Sequence, residues 1–223
     1  MNAVARLLLS LIVSIPTEFQ HPHFDRVVWI AADRAVLSDT QKELLQKGRR
    51  QTARQREKEP AFASGCDVMF FGQIEDSPDL FAARSWNDLH RIASSRTVFE
   101  GAVTATAIGL RNGLPYAVLR IESGASSPVF LLYPDARLQL DGMTICNIDR
   151  SYAPRPSVGD RIVFPASLAA DASGTLYHVS GDWIIYEHHG AIVTGPALRS
   201  SAEIKRFKST RDVAAALRAA AVN

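Results

Sequence analysis

The pattern of hydrophobic and polar positions divides the chain into a polar helical segment, a β-rich middle and a helical C-terminus. Residues 39–59 are strong helix formers with few apolar positions, and Pro60 ends the run. A helix this polar gains little from packing, so we expect it to face solvent. Near the other end, Ser209 and Asp212 have the spacing of a capping box and predict the start of a second helix.

From Cys66 onward, short apolar runs separated by turn residues predict a series of strands. Gly101 interrupts one run, as glycine does at a bulge or a barrel bend. Asn112-Gly113 is a hairpin signal, and we predict a later hairpin about Gly181-Asp182. Many strands are apolar on both faces, which favours a small antiparallel β-barrel covered by helices.

The predicted fold class is therefore α+β, mainly β, with helices flanking the barrel at both ends. A chain of 223 residues fits one domain with an extension. The predicted parts are a signal peptide at 1–16, a helical extension at 17–65, a β-barrel domain at 66–198 with an inserted helix near 79–93, and C-terminal helices at 199–223.

The N-terminus has the order of a secretory signal. Arg6 precedes an apolar run from Leu7 to Ile15, and Pro16 follows. No small-x-small cleavage site is evident, so a buried N-terminal helix or strand is the alternative. We expect a periplasmic or secreted protein, and otherwise a cytoplasmic one. No apolar run reaches the roughly 18 residues of a membrane span, so no span is expected after leader cleavage.

The two cysteines, Cys66 and Cys146, lie far apart and not in a metal-binding spacing. In an exported protein they could form one disulfide, adding about 4 kcal/mol through chain entropy. In a cytosolic protein both are expected to be small buried hydrophobes.

The charge distribution indicates less about possible binding partners. Hydrophobic residues make up 47%, charged residues 22%, and the formal charge is +2, which by itself implies no polyanionic partner. Five basic residues of the first helix form a candidate patch for nucleic acid or anionic lipid. A solvated face is the favoured interpretation, since glutamates partly offset the charge and no aromatic residues are interleaved to stack on bases. The five residues are Lys47, Arg49, Arg50, Arg54 and Arg56.

His178, Glu187 and His189 are the candidate metal ligands. A hairpin about Gly181-Asp182 would place all three on one face of the sheet, and two histidines with a carboxylate form a known ligand set. In that register His178 and His189 stand about 13 Å apart, too far for one ion. We therefore favour an exposed strand end. No nucleophile elbow or phosphate-binding loop occurs, and no cofactor or catalytic residue is predicted.

Three short motifs occur in a recognisable order: Gly101-Ala102-Val103, then Cys146, then Gly159-Asp160-Arg161-Ile162-Val163-Phe164. With the strands around them, from Thr97 to Val193, they resemble exported bacterial proteins with an OB-like barrel of the netrin/TIMP type. The resemblance implies a fold and a compartment more than an activity. The inhibitor branch carries an N-terminal cysteine that reaches a protease zinc, and this chain has none at a corresponding position.

Together these observations predict a non-enzymatic exported binding or interaction module of the cell envelope, with another envelope protein as its partner. One alternative is a nucleic-acid-binding OB-type protein that uses the basic helix, although nucleic acid is the less favoured partner. The other alternative is a metal-dependent enzyme that uses the C-terminal histidines.

Overall fold

The computed structural model describes residues 27–28, 39–58, 65–71, 83–111, 114–124, 127–140, 142–149, 152–166, 176–179 and 181–220. Within these residues the α-helices are α1 (Asp39–Lys58), α2 (Trp86–Ser94) and α3 (Thr210–Ala219). The strands are β1 (Val27–Val28), β2 (Val68–Phe71), β3 (Val98–Arg111), β4 (Leu114–Glu122), β5 (Val129–Tyr133), β6 (Ala136–Leu140), β7 (Met143–Ile148), β8 (Arg161–Pro165), β9 (Leu176–His178), β10 (Ile185–His188) and β11 (Ala191–Thr194).

The larger sheet has the strand order β11-β10-β8-β3-β4-β5-β9, and β1 pairs with the end of β3. The long strand β3 pairs with β4 over most of its length and with β8 over its first residues. Its register against β4 shifts between Val103 and Ala105. Such a bulge bends a strand and increases its twist. Strand β3 can therefore pair with both β4 and β8.

The smaller sheet has the order β2-β7-β6, with β2 parallel to β7. In the larger sheet β9 likewise runs parallel to β5. These two pairs correct the expectation of a purely antiparallel arrangement. Each joins strands that are far apart in sequence, and a long connection allows parallel pairing where a tight turn does not.

The prediction of a mainly β, α+β protein is confirmed. Among the described residues the larger sheet is an open path with β11 and β9 at its ends. Closure into an OB-like barrel therefore remains a prediction. The predicted leader at 1–16 lies outside the described residues. No helix in the described part of the chain is long and apolar enough to cross a membrane.

The helix predictions hold where the capping signal is local. Helix α1 (Asp39–Lys58) confirms the predicted helix over its described residues, and Ser209 and Asp212 form the expected capping box of α3. The inserted helix starts later than predicted, and its assignment at 83–85 was wrong. Ser85 has an extended backbone and accepts a hydrogen bond from the Asp88 amide, so it caps a helix that begins at Trp86.

The predicted hairpin about Gly181-Asp182 is wrong. Residues Gly181–Trp183 form a 3₁₀ helix, β9 pairs with β5, and β10 pairs with β8 and β11. The reason is burial: the side chains of Trp183 and Ile184 are completely inaccessible to solvent. An exposed two-residue turn would leave both in water, so the chain instead passes through the core at this point.

The main core lies between the larger sheet and the C-terminal helices. Its fully buried members include Leu89 of α2, Val213 and Leu217 of α3, and Phe164 of β8. The Arg96 guanidinium lies 5.0 Å from the centre of the Trp183 ring, a cation–π contact that covers this part of the core. The core therefore fixes the C-terminal segments against the sheet.

Candidate binding site

The basic helix α1 is attached to the smaller sheet by part of its charge. All five predicted basic residues lie on α1 and are exposed. The Arg56 guanidinium donates to the carbonyl oxygen of Cys66, and the Arg49 guanidinium contacts the sulfur of Met143. These two side chains therefore hold α1 in place, while Lys47, Arg50 and Arg54 are the members of the patch for which no such contact to the sheet is seen among the described residues.

The opposite side of α1 corrects the expectation that the helix is simply solvent-facing. Leu45, Gly48 and Thr52 are buried against β2. A Cβ atom on Gly48 would lie 2.6 Å from a methyl group of Val68, so only glycine permits this close approach. The Thr52 hydroxyl accepts from the Met69 amide and donates to the Gly48 carbonyl. Spacings of three and four residues in the sequence were the available signal for this narrow stripe.

Cys66 and Cys146 form a disulfide with a Cα–Cα distance of 5.9 Å and a sequence separation of 80 residues. Cys66 lies two residues before β2, and Cys146 lies opposite Met69 in the parallel pair β2–β7. Both cysteines are buried. The bond therefore reinforces the strand pair that joins β2 to the rest of the smaller sheet.

The structure places the three predicted metal ligands on different elements. His178 lies in β9, at the opposite end of the larger sheet from Glu187 in β10, while His189 lies in the turn that follows β10. The Glu187 carboxylate accepts from the Thr210 amide, at the positive N-terminus of α3. Within the described residues no three His, Cys, Asp or Glu side chains are grouped to hold an ion.

His188 has a partner that the sequence interpretation did not find. Its Nδ1 lies 2.9 Å from Oδ1 of Asp160, a carboxylate that also accepts from the Ser157 amide. The Asp160 side chain is 9% exposed and that of His188 is 42% exposed. Asp160 therefore orients an imidazole that is partly exposed and whose centre lies 4.1 Å from that of the His189 ring. The two residues are 28 apart in sequence, and only the β8–β10 register brings them together.

The hairpin β10–β11 turns at His189-Gly190, where both residues have positive φ, 49° and 78°. Positive φ at both central positions is the signature of a type I′ turn, whose twist matches that of the flanking strands. His189 is exposed there.

A cleft of about 470 Å³ opens beside β11. Its lining is mostly apolar with two basic side chains, and within the described residues it contains no acidic side chain. The lining residues are Pro154, Ile192, Val193, Thr194, Arg199, Ile204, Lys205 and Phe207. Arg199 and Lys205 are exposed, and neither forms an ion pair with another described residue.

Tyrosine hydroxyls fix the wall of the cleft formed by Pro154. The Tyr186 hydroxyl donates to the Pro154 carbonyl at 2.8 Å, and the Tyr133 hydroxyl donates to that of Ala153 at 2.7 Å. Burial raises the pKa of Tyr186 to about 12, and the nearby Asp160 charge adds to the effect. The hydroxyl therefore stays protonated, so this hydrogen bond persists across the physiological pH range.

Sequence reasoning missed the cleft because its lining comes from three separate segments.

No protein-family model, curated protein or solved structure is similar enough to this chain to count as a match. The site therefore has to be interpreted from its own geometry.

Proposed function

We propose that this chain is an exported, disulfide-bonded binding module of the cell envelope, without enzymatic activity of its own. The observation that carries the proposal is the Cys66–Cys146 disulfide. Disulfides persist in oxidising compartments and are rare in reducing ones. The apolar run behind Arg6 supports the same compartment.

The OB-like part of the fold belongs to this proposal. It is supported by the long strand β3, which carries a register shift and pairs with both β4 and β8. Bulges of this kind are frequent where a sheet curls into a barrel. An OB-like barrel is partly open, so such curling is compatible with β11 lying at an edge.

Nucleic-acid binding through α1 is the less favoured alternative. Two of the five basic residues, Arg49 and Arg56, already contact the smaller sheet. The three others form a weak electrostatic footprint, and α1 contains no aromatic residue for stacking on bases.

Expression of the full chain in a bacterial host with an oxidising periplasm tests the export proposal. We expect a mature N-terminus downstream of residue 16 by mass spectrometry, recovery in the periplasmic or secreted fraction, and no thiol labelling before reduction. Replacement of Arg6 and the apolar run by a polar segment is the matched control and should retain the chain in the cytosol. An intact chain in the cytosol with two reactive thiols would overturn the proposal.

A further inference from the structure

The cleft beside β11 follows the free edge of the larger sheet. β11 is the last strand in the sheet order, so only β10 pairs with it among the described strands. Side chains of successive strand residues point to opposite faces, yet Ile192, Val193 and Thr194 all line the cleft. A single cleft can touch three consecutive residues only where it passes the edge of the strand.

The hairpin register shows which backbone groups face this edge. In a two-residue hairpin the residues that flank the turn, here His188 and Ala191, form a hydrogen-bonded pair. Hydrogen-bonded and non-hydrogen-bonded pairs alternate along the hairpin. The backbone of Val193 therefore bonds to that of Tyr186, and the N–H and C=O groups of Ile192 and Thr194 point away from β10. An added strand would find a donor and an acceptor at the half-buried Ile192, whereas Thr194, at 4% exposure, offers them only where it borders the cleft.

The walls of the cleft are apolar on both faces of β11. Val193 lies opposite Tyr186, whose hydroxyl bonds to Pro154, so Val193 and Pro154 form one wall. Ile192 lies on the other face, where Ile204 and Phe207 complete the cleft. Phe207 is itself fixed by the ring of Trp86, with 5.1 Å between ring centres. The apolar walls offer pockets for alternate side chains of an extended peptide.

The positive charge of the cleft indicates which class of peptide it would bind. Arg199 and Lys205 are both cationic, and among the described lining residues no carboxylate offsets them. We propose that the cleft binds an extended acidic segment of another envelope protein, which adds to β11 as a further strand. Its Asp or Glu side chains pair with Arg199 and Lys205, while alternate apolar side chains pack against the walls. This inference rests on the proposed binding function and names the partner class.

The size of the site fits such an occupant. Four strand residues span about 13 Å, so the edge of β11 matches about four residues of a partner strand. A volume of 470 Å³ is within the range of about 300 to 1,000 Å³ that is usual for ligand clefts. The contact is therefore small, and we expect it to be reversible.

Selection of phage-displayed random decapeptides on the purified, oxidised full chain tests this inference. We expect the enriched peptides to alternate Asp or Glu with apolar β-forming residues. Fluorescence anisotropy then measures the dissociation constant of one synthetic enriched peptide. Reversal of both cleft charges, Arg199→Glu with Lys205→Glu, should weaken binding by about tenfold or more. The control pair Lys47→Glu with Arg50→Glu makes the same change in net charge on α1 and should leave binding unchanged.

A second experiment tests the backbone pairing between the peptide and β11. Methylation of the peptide amides one at a time should weaken binding at alternate positions, because only alternate N–H groups face β11. If the double reversal lowers the melting temperature, the neutral pair Arg199→Gln with Lys205→Gln replaces it. No enrichment, enrichment of peptides without acidic residues, or equal loss in the α1 control would overturn the inference. Binding is measured on purified protein, so a chain retained in the cytosol would contradict export alone, and a failed selection would contradict the peptide site alone.

Discussion

Asp160 and His188 face each other across β8 and β10, with 2.9 Å between Oδ1 and Nδ1. The same carboxylate accepts from the Ser157 amide, so it joins the turn before β8 to the final hairpin. Asp160→Ala removes both bonds and leaves the part-buried Ser157 amide without its charged acceptor. We expect a loss of about 1 to 3 kcal/mol in the free energy of unfolding, measured by urea denaturation.

His188→Ala should cost less, because the imidazole is 42% exposed and the Ser157 bond remains. In a double-mutant cycle we expect a coupling of about 0.2 to 1 kcal/mol between the two residues. A larger loss for His188→Ala than for Asp160→Ala would contradict the view that the carboxylate is the organising group.

The disulfide should contribute strongly to stability. Cys66→Ser with Cys146→Ser removes a cross-link between residues 80 apart in sequence and should lower the free energy of unfolding by about 2 to 5 kcal/mol. A reducing agent should destabilise the parent chain by a similar amount and leave the double variant unaffected. Equal stability of the oxidised and reduced parent chains would contradict this expectation.

Asp182 should make stability decrease as the pH rises. Burial, with a smaller effect of the Asp149 charge, raises the pKa of Asp182 from 3.8 to about 6. The folded state then holds a proton that the unfolded state releases near pH 4. The neutral carboxyl group of Asp182 makes its full contribution to stability below about pH 4. This contribution is lost as the pH rises past 6, which lowers the free energy of unfolding by about 1 to 3 kcal/mol. Asp182→Asn should flatten this part of the profile, measured by urea denaturation from pH 4 to 7. Parallel profiles would contradict the assignment.

His189 should be replaceable by a better turn residue. It has a φ of 49° and directly precedes Gly190 in the turn, and Asn-Gly is the pair preferred in type I′ turns. We expect His189→Asn to raise the melting temperature slightly, because Asn adopts a positive φ at little cost. Binding of the enriched peptide serves as the functional readout and should not change. A loss of stability would indicate that the imidazole has a further role in the fold.

Local signals in the sequence were sufficient for the helices and for most strands. The Ser209–Asp212 capping box and the Pro60 stop operate within a few residues, so α3 and α1 could be located without tertiary information. The start of α2 was placed too early because Ser85 competes as a cap. Capping strength depends on backbone geometry that residue type alone does not specify.

Long-range pairing could not be predicted in the same way. Gly181-Asp182 has the composition of a hairpin turn, but burial of Trp183 determines its structure. That burial depends on elements distant in sequence, as does the contact between Asp160 and His188. The cleft combines Pro154 with residues 192–194 and 199–207, and no spacing rule connects these segments. The sequence indicated that the two cysteines could pair, whereas the cleft became visible only in the fold.

The parallel pairing of β2 with β7 sets an order of events for a chain that crosses a membrane N-terminus first. In the proposed export, Cys66 would enter the oxidising compartment before Cys146, and strands β3 to β6 would have to follow before the two thiols could meet. During that interval Cys66 is an accessible thiol, open to a mixed disulfide with an oxidoreductase. Assembly of the smaller sheet is then tied to the progress of translocation.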